Sequence, residues 1–93
     1  MIDKKVKKKI IFKDLIIVLY EKKEDQISKV RNIEAFDNKG NLIWTAEEPK
    51  YDFGYFDMQI DEENNYLDAD GGGGERYEIN LLNGRIIKNK IIK

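Results

Sequence analysis

Apolar residues recur along the chain in short runs set off by regularly spaced turn signals. The runs are rich in Ile, Leu, Val, Phe and Tyr, the composition of β-strands. The spacing predicts eight of them: Lys9–Phe12, Leu15–Glu21, Arg31–Asp37, Leu42–Glu47, Phe56–Asp61, Tyr66–Asp70, Glu75–Asn80 and Arg85–Ile91. Alternation is clearest in the fifth, where Phe56, Met58 and Ile60 share one face and Asp57, Gln59 and Asp61 the other, the pattern of a strand with one wet face. Leu15 to Tyr20 is apolar at every position, which suits a central strand covered on both sides. A buried helical turn would give the same run. Three β-branched residues in it, Ile16, Ile17 and Val18, and the charged residues on either side favour the strand. No segment carries a helical stripe, and the polar stretch Lys22–Val30 reads as a hairpin loop.

The turns have a readable chemistry. Asp37-Asn38-Lys39-Gly40-Asn41 combines residues that tolerate positive φ with a glycine, as a tight hairpin requires. Asn80-Leu81-Leu82-Asn83-Gly84 is similar with one more residue ahead of its glycine, and Asp61–Asn65 supplies a third, more polar turn. The single proline, Pro49, lies in the link Glu48–Tyr55, where the missing N–H is easily tolerated. That link divides one domain of 93 residues into a first four-stranded unit, residues 1–47, and a second, residues 56–93. The fold class expected is all-β, with eight antiparallel strands in two four-stranded meander units.

The two units share one plan. Sliding the second over the first pairs Phe36 with Ile79, Gly40 with Gly84, Leu42 with Ile86 and Ile43 with Ile87. An offset of this size is that of a four-stranded propeller blade. The segment from Asn32 through Ala35, Phe36, Asp37, Gly40, Leu42 and Ile43 to Trp44 resembles the repeat of quinoprotein-type (PQQ-like) β-propellers, with its Ala-hydrophobic-Asp strand end, Gly turn and aliphatic-Trp strand. Arg76 to Ile87 resembles a degenerate second copy in which Asn80 replaces the Asp and Lys88 stands where Trp would be. The whole chain is similar to small bacterial proteins of this length with the same two-unit plan. These likenesses imply two propeller-like blades packed together and a core position for Trp44. They imply no activity and no cofactor, because a ring needs at least about four blades to form a central site. Two blades leave an apolar side that the other blade, or a second copy of the chain in a homodimer, would cover.

Composition narrows the chemistry. Hydrophobic residues form 41% of the chain, enough for a folded domain at this charge content. The net charge of −1 hides a strong unevenness: residues 1–13 hold six lysines against Asp3, while residues 47–78 hold eleven acids against Lys50 and Arg76. Such a chain presents two faces of opposite sign or pairs its strands through cross-strand charge. Lysines 7 to 9, 88, 90 and 93 lie on or beside the first and last strands, where lysine blocks edge-to-edge association. The longest apolar run has six residues where a membrane span needs about twenty. No signal-peptide pattern follows the basic start, so the expected setting is cytoplasmic, away from membranes. A bare lysine run in a chain of pI near 5.5 is no nucleic-acid footprint.

With no His, no Cys, one Ser (Ser28) and one Thr (Thr45), the chain cannot assemble a Ser-His, Cys-His or His-based metal site. Carboxylate catalysis survives, but it needs two acids set in a cleft that 93 residues of β-structure seldom build, so the chain is expected to be non-enzymatic. Two segments attract notice. Tyr51, Phe53, Tyr55 and Phe56 place four aromatics in six residues, interleaved with Asp52 and Gly54, a composition shared by recognition surfaces and small cores. Asp68-Ala69-Asp70 followed by Gly71 to Gly74 and Glu75 is a flexible hairpin loop or, alternatively, a small-ligand or calcium-binding turn, although the spacing fails the helix-loop-helix calcium pattern. The leading expectation is a protein-interaction module that holds its partner through Tyr51, Asp52, Phe53, Tyr55, Asp68 and Asp70. A basic toxin, with this chain as its immunity factor, is one such partner by analogy.

Overall fold

A computed structural model of the chain describes residues 5–21 and 28–91. Most of the loop expected over Lys22–Val30 therefore lies outside the described residues. The eight strands are β1 (Val6–Phe12), β2 (Leu15–Tyr20), β3 (Ile33–Phe36), β4 (Leu42–Thr45), β5 (Asp57–Asp61), β6 (Tyr66–Asp70), β7 (Glu75–Asn80) and β8 (Ile86–Ile91). They form two four-stranded antiparallel sheets in simple sequence order, β1-β2-β3-β4 and β5-β6-β7-β8. The hydrophobic pattern therefore located every strand, with differences only at the ends. The described residues include no helix, and none long and apolar enough to cross a membrane.

The likeness of the two units extends to their irregularities. The β3–β4 ladder slips between Ala35 and Phe36, and the β7–β8 ladder slips between Glu78 and Ile79, at the position that the sequence pairing of Phe36 with Ile79 marks. The following turns are built alike. Asp37 N donates to Asn41 O (2.9 Å) and Gly40 N to Asp37 O (3.2 Å), while Asn80 N donates to Arg85 O (2.8 Å) and Gly84 N to Asn80 O (2.8 Å). The Asp37 carboxylate accepts from Lys39 N and Asn41 N, and Asn80 Oδ1 accepts from Leu82 N, the counterpart of the Lys39 bond. Gly40 and Gly84 both hold positive φ, +87° and +75°.

Inner faces of both sheets meet in one core. Ile17, Leu19, Ile33, Ala35 and Trp44 come from the first sheet and Met58, Leu67, Ala69, Tyr77 and Ile79 from the second. The molecule is 34 × 29 × 17 Å, the thickness of two layers. β2 is an interior strand, and Ile17 to Tyr20 are buried on both its faces. Trp44 is buried as expected, its indole Nε1 donating to Leu81 O (2.8 Å) across the seam. The outer faces differ in chemistry. In the first sheet one row across all four strands reads Ile11, Ile16, Phe36, Leu42; in the second a row reads Asp57, Asp70, Arg76, Lys90.

Two expectations change. Phe56 does not share the core face with Met58: it precedes β5 and is 54% exposed, its ring lying under Lys7 Nζ, 3.5 Å from the centroid. Strand alternation does not govern a residue still on the incoming loop. Nor do the N-terminal lysines act only as edge guards. Lys7 Nζ donates to Phe56 O (2.6 Å), and Lys8 Nζ reaches Met58 O (2.6 Å) and Asp57 Oδ1 (3.1 Å), so β1 is tied to β5 of the other sheet.

Asn32 joins the sheets at the centre. Fully buried, it donates through Nδ2 to Tyr20 O (2.9 Å) and Tyr55 O (2.8 Å) and accepts at Oδ1 from Tyr55 N (2.8 Å). Asn32→Ala would strand Tyr55 N and two carbonyls in the core, at about 1–3 kcal/mol each, against a total of about 5–15 kcal/mol for a domain. The expected result is a fall in melting temperature of at least about 10 °C, read by circular dichroism. The paired turn glycines provide a second test. A Cβ on Gly84 would stand 2.5 Å from Trp44 Cε3, whereas one on Gly40 meets nothing within 4 Å. Gly40→Ala is expected to cost about 1 kcal/mol, from φ alone. Gly84→Ala adds a core clash of about 1–3 kcal/mol, a difference that urea melts of the two variants resolve.

Candidate functional site

The two segments that stand out in the sequence are packed against each other. Residues 51–54 form a bent loop whose backbone is fixed from both sides. Tyr51 N donates to the hydroxyl of Tyr77 (3.1 Å), and that hydroxyl donates to Asp52 Oδ2 (2.8 Å). Val30 N donates to Phe53 O (2.8 Å), and Phe56 N to Asp70 O (2.6 Å). The Asp52 carboxylate lies directly against the glycine loop. A Cβ on Gly71 would sit 2.1 Å from its Oδ2, and one on Gly73 would sit 2.8 Å from its Oδ1. Those glycines are required by the close approach of a neighbouring side chain.

The aromatics divide by role. Tyr51 is 60% exposed and Phe53 48%, and Phe56 lies beyond them beside Gly72. Tyr55 is corrected: at 1% exposure it cannot touch a partner. Its ring packs edge-on against Tyr77 at 5.6 Å, and its hydroxyl donates to Glu47 O (2.6 Å). The alternation that leaves Tyr51 and Phe53 outward breaks at Gly54 and Tyr55, both buried, where the chain turns into the core ahead of β5.

Asp68 and Asp70 lie on the outer face of the second sheet, opposite in pleat to Tyr77. Asp68 Oδ2 accepts from Arg76 Nη1 (3.1 Å), and Asp70 Oδ1 caps Gly72 N (2.8 Å), closing the turn into the glycine loop. Asp68 Oδ1 is buried without a hydrogen-bond partner among the described residues, and nothing else in the fold accounts for it. Among the described residues no three carboxylates are grouped to hold a metal ion. Asp70 thus joins the loop assembly by supporting the glycine turn, while Asp68 serves the sheet face.

Sequence reasoning missed the residues that hold this loop in place, Tyr77 and Asn32. Tyr77 stands in an alternating strand like any core residue, and its partners Tyr51 and Asp52 lie 26 and 25 positions away. No local signal marks either pin.

Burial drives both core phenols above their ordinary value, Tyr55 with help from the nearby charge of Glu47 and Tyr77 with help from its bond to Asp52. Tyr20 is pushed up to about 12 by burial and by Glu34. An unfolded tyrosine ionises near pH 10, so the folded state binds more protons above that point. Stability from these groups is intact below about pH 10 and falls as pH rises toward the folded values. The expected outcome is alkaline unfolding in which tyrosinate absorbance rises together with the loss of near-ultraviolet circular dichroism. Ionisation of all five tyrosines with the fold intact would contradict it.

No curated protein and no solved structure matches the chain. A family model described as a domain of unknown function, DUF7957, matches residues 1–91, and the chain belongs to that family.

Proposed function

We propose that this chain is a non-enzymatic protein-interaction module whose partner is held on the loop of residues 51–56. The observation that carries the reading is the pairing of exposed aromatic area with a fixed backbone. Tyr51, Phe53 and Phe56 each leave about half or more of their surface open, on a segment anchored by the Tyr77 hydroxyl, by Val30 N and by the glycine loop. Exposed rings give contact area with few rotatable bonds, and a loop already held in place loses little further entropy on binding. Asp52 and Asp70 in the same assembly favour a partner with a basic surface, among which a basic toxin neutralised by this chain is one class. The absence of any His or Cys supports the non-enzymatic reading.

Replacing Tyr51 and Phe53 together by alanine removes the rings without touching the pins. The double variant is expected to melt within a few degrees of the parent and to lose its partner in affinity capture from the native host. Unchanged recovery of the same partner would rule out this loop as the contact.

A further inference from the structure

The two sheets meet unevenly along their edges. β1 lies against β5 through Lys7 and Lys8, and the chain leaving β4 is tied to the last turn by Glu47 N donating to Gly84 O (2.8 Å). β8, the end strand of the second sheet, instead borders an open cleft of ≈500 Å³. One wall is the edge of β8 from Ile86 to Asn89, the other is the segment 47–50, and Lys29 stands at the rim. Past Glu47 and Glu48 the cleft continues into a second hollow of ≈370 Å³, bounded by Arg31 and Arg85.

Charge along this groove is strongly one-sided. Lys29, Arg31, Lys50, Arg85 and Lys88 line it, against Glu47 and Glu48. Among the described residues, two of the cations are fixed by backbone carbonyls and not by an ion pair. Lys29 Nζ donates to Pro49 O (3.0 Å) and Lys50 O (2.5 Å), and Arg31 to Ala46 O (2.9 Å) and Thr45 O (2.6 Å). The first backbone donor of β8 has already taken a carboxylate: Ile86 N donates to Glu47 Oε1 at 2.9 Å.

We infer that this groove docks an extended acidic segment of a partner protein, which pairs with the edge of β8 as a fifth strand. An end strand presents a row of backbone donors and acceptors that an incoming strand satisfies, and side chains on the rim select it. Glu47 at Ile86 N is the internal precedent, a carboxylate seated on that edge. Ile87, half exposed, supplies apolar contact between the cations. Charge also decides against a second copy of this chain as occupant. Pairing β8 with β8 would bring Lys88 and Lys90 of one copy against those of the other, a repulsive cross-strand arrangement. The groove adjoins the 51–56 loop at Lys50, whose Nζ lies 5.4 Å from the Tyr51 ring centroid, but none of that loop's aromatics line it, and the inference stands whether or not that loop binds a partner.

The test uses a fluorescent peptide of the length of β8, alternating glutamate with valine, and the intact protein. The expected result is saturable binding that weakens with salt and shifts the backbone amide resonances of Ile87 to Ile91. Arg85→Glu combined with Lys88→Glu should lower the affinity at least tenfold, whereas Lys39→Glu, in the turn between β3 and β4, should leave it unchanged. A peptide with the same charges but N-methylated at alternate amides should bind at least tenfold more weakly. No saturable binding would overturn the inference. Equal binding of the N-methylated peptide, or equally tight binding of inorganic polyphosphate, would also overturn it by reducing the groove to a charge effect.

Discussion

The side-chain amide of Asn32 stands in for a peptide group at the point where the two sheets are joined. Its Nδ2 serves the last carbonyl of β2 and the carbonyl of Tyr55, and its Oδ1 takes the N–H of Tyr55. Each of these backbone groups lies where no strand ladder reaches, inside a core that water does not enter. Without the amide, the link between the sheets would carry unpaired groups into apolar surroundings. Much else follows from that placement. Tyr55 is drawn inward against Tyr77, the Tyr77 hydroxyl comes within reach of Asp52, and the loop before Tyr55 is left standing on the surface with its rings outward.

Charge does a second kind of joining. The sequence leaves open whether the basic ends and the acidic third quarter form separate faces or pair with each other. The fold does both. Lys8 on β1 meets Asp57 on β5, and Lys90 on β8 meets Glu78 on β7. The Asp57 carboxyl is held below its usual range, first by its bond to Met58 N and then by Lys8. Such pairs are partly exposed and individually worth little, so their value lies in register more than in stability. Five further cations, Arg85 and Lys88 with Lys29, Arg31 and Lys50, line the cleft beside β8.

Repetition explains the architecture, and departures from it explain the surfaces. The bulges of the two sheets correspond position by position and their last turns carry the same pair of bonds, the second with one residue more, so both units solve the same local problem. Gly84 nonetheless lies under the indole of Trp44, while its counterpart Gly40 faces open space. The outer faces likewise part company: the row Ile11, Ile16, Phe36, Leu42 of the first sheet is apolar, whereas the row Asp57, Asp70, Arg76, Lys90 of the second is ionic. The glycine run has no counterpart in the first unit; the Asp52 carboxylate is pressed against Gly71 and Gly73, while Gly72 and Gly74 hold positive φ, +87° and +94°.

The eight strands were legible in the sequence, because a period of two in apolar residues and turn chemistry at Asp37–Asn41 and Asn80–Gly84 are local properties that each segment states for itself. The two-unit plan was legible for the same reason, and the burial of Trp44 was expected from the repeat that its segment resembles. The candidate site was legible only as composition: the aromatic run and the glycine run could each be core, linker or contact. Only the tertiary structure decided that Tyr55 turns inward while Tyr51 and Phe53 stay out, that the glycines make room for Asp52, and that Lys7 and Lys8 clasp the opposite sheet. Those outcomes depend on pairs of residues 19 to 50 positions apart. No period or turn signal encodes a contact between segments that meet only when the two sheets close on one core.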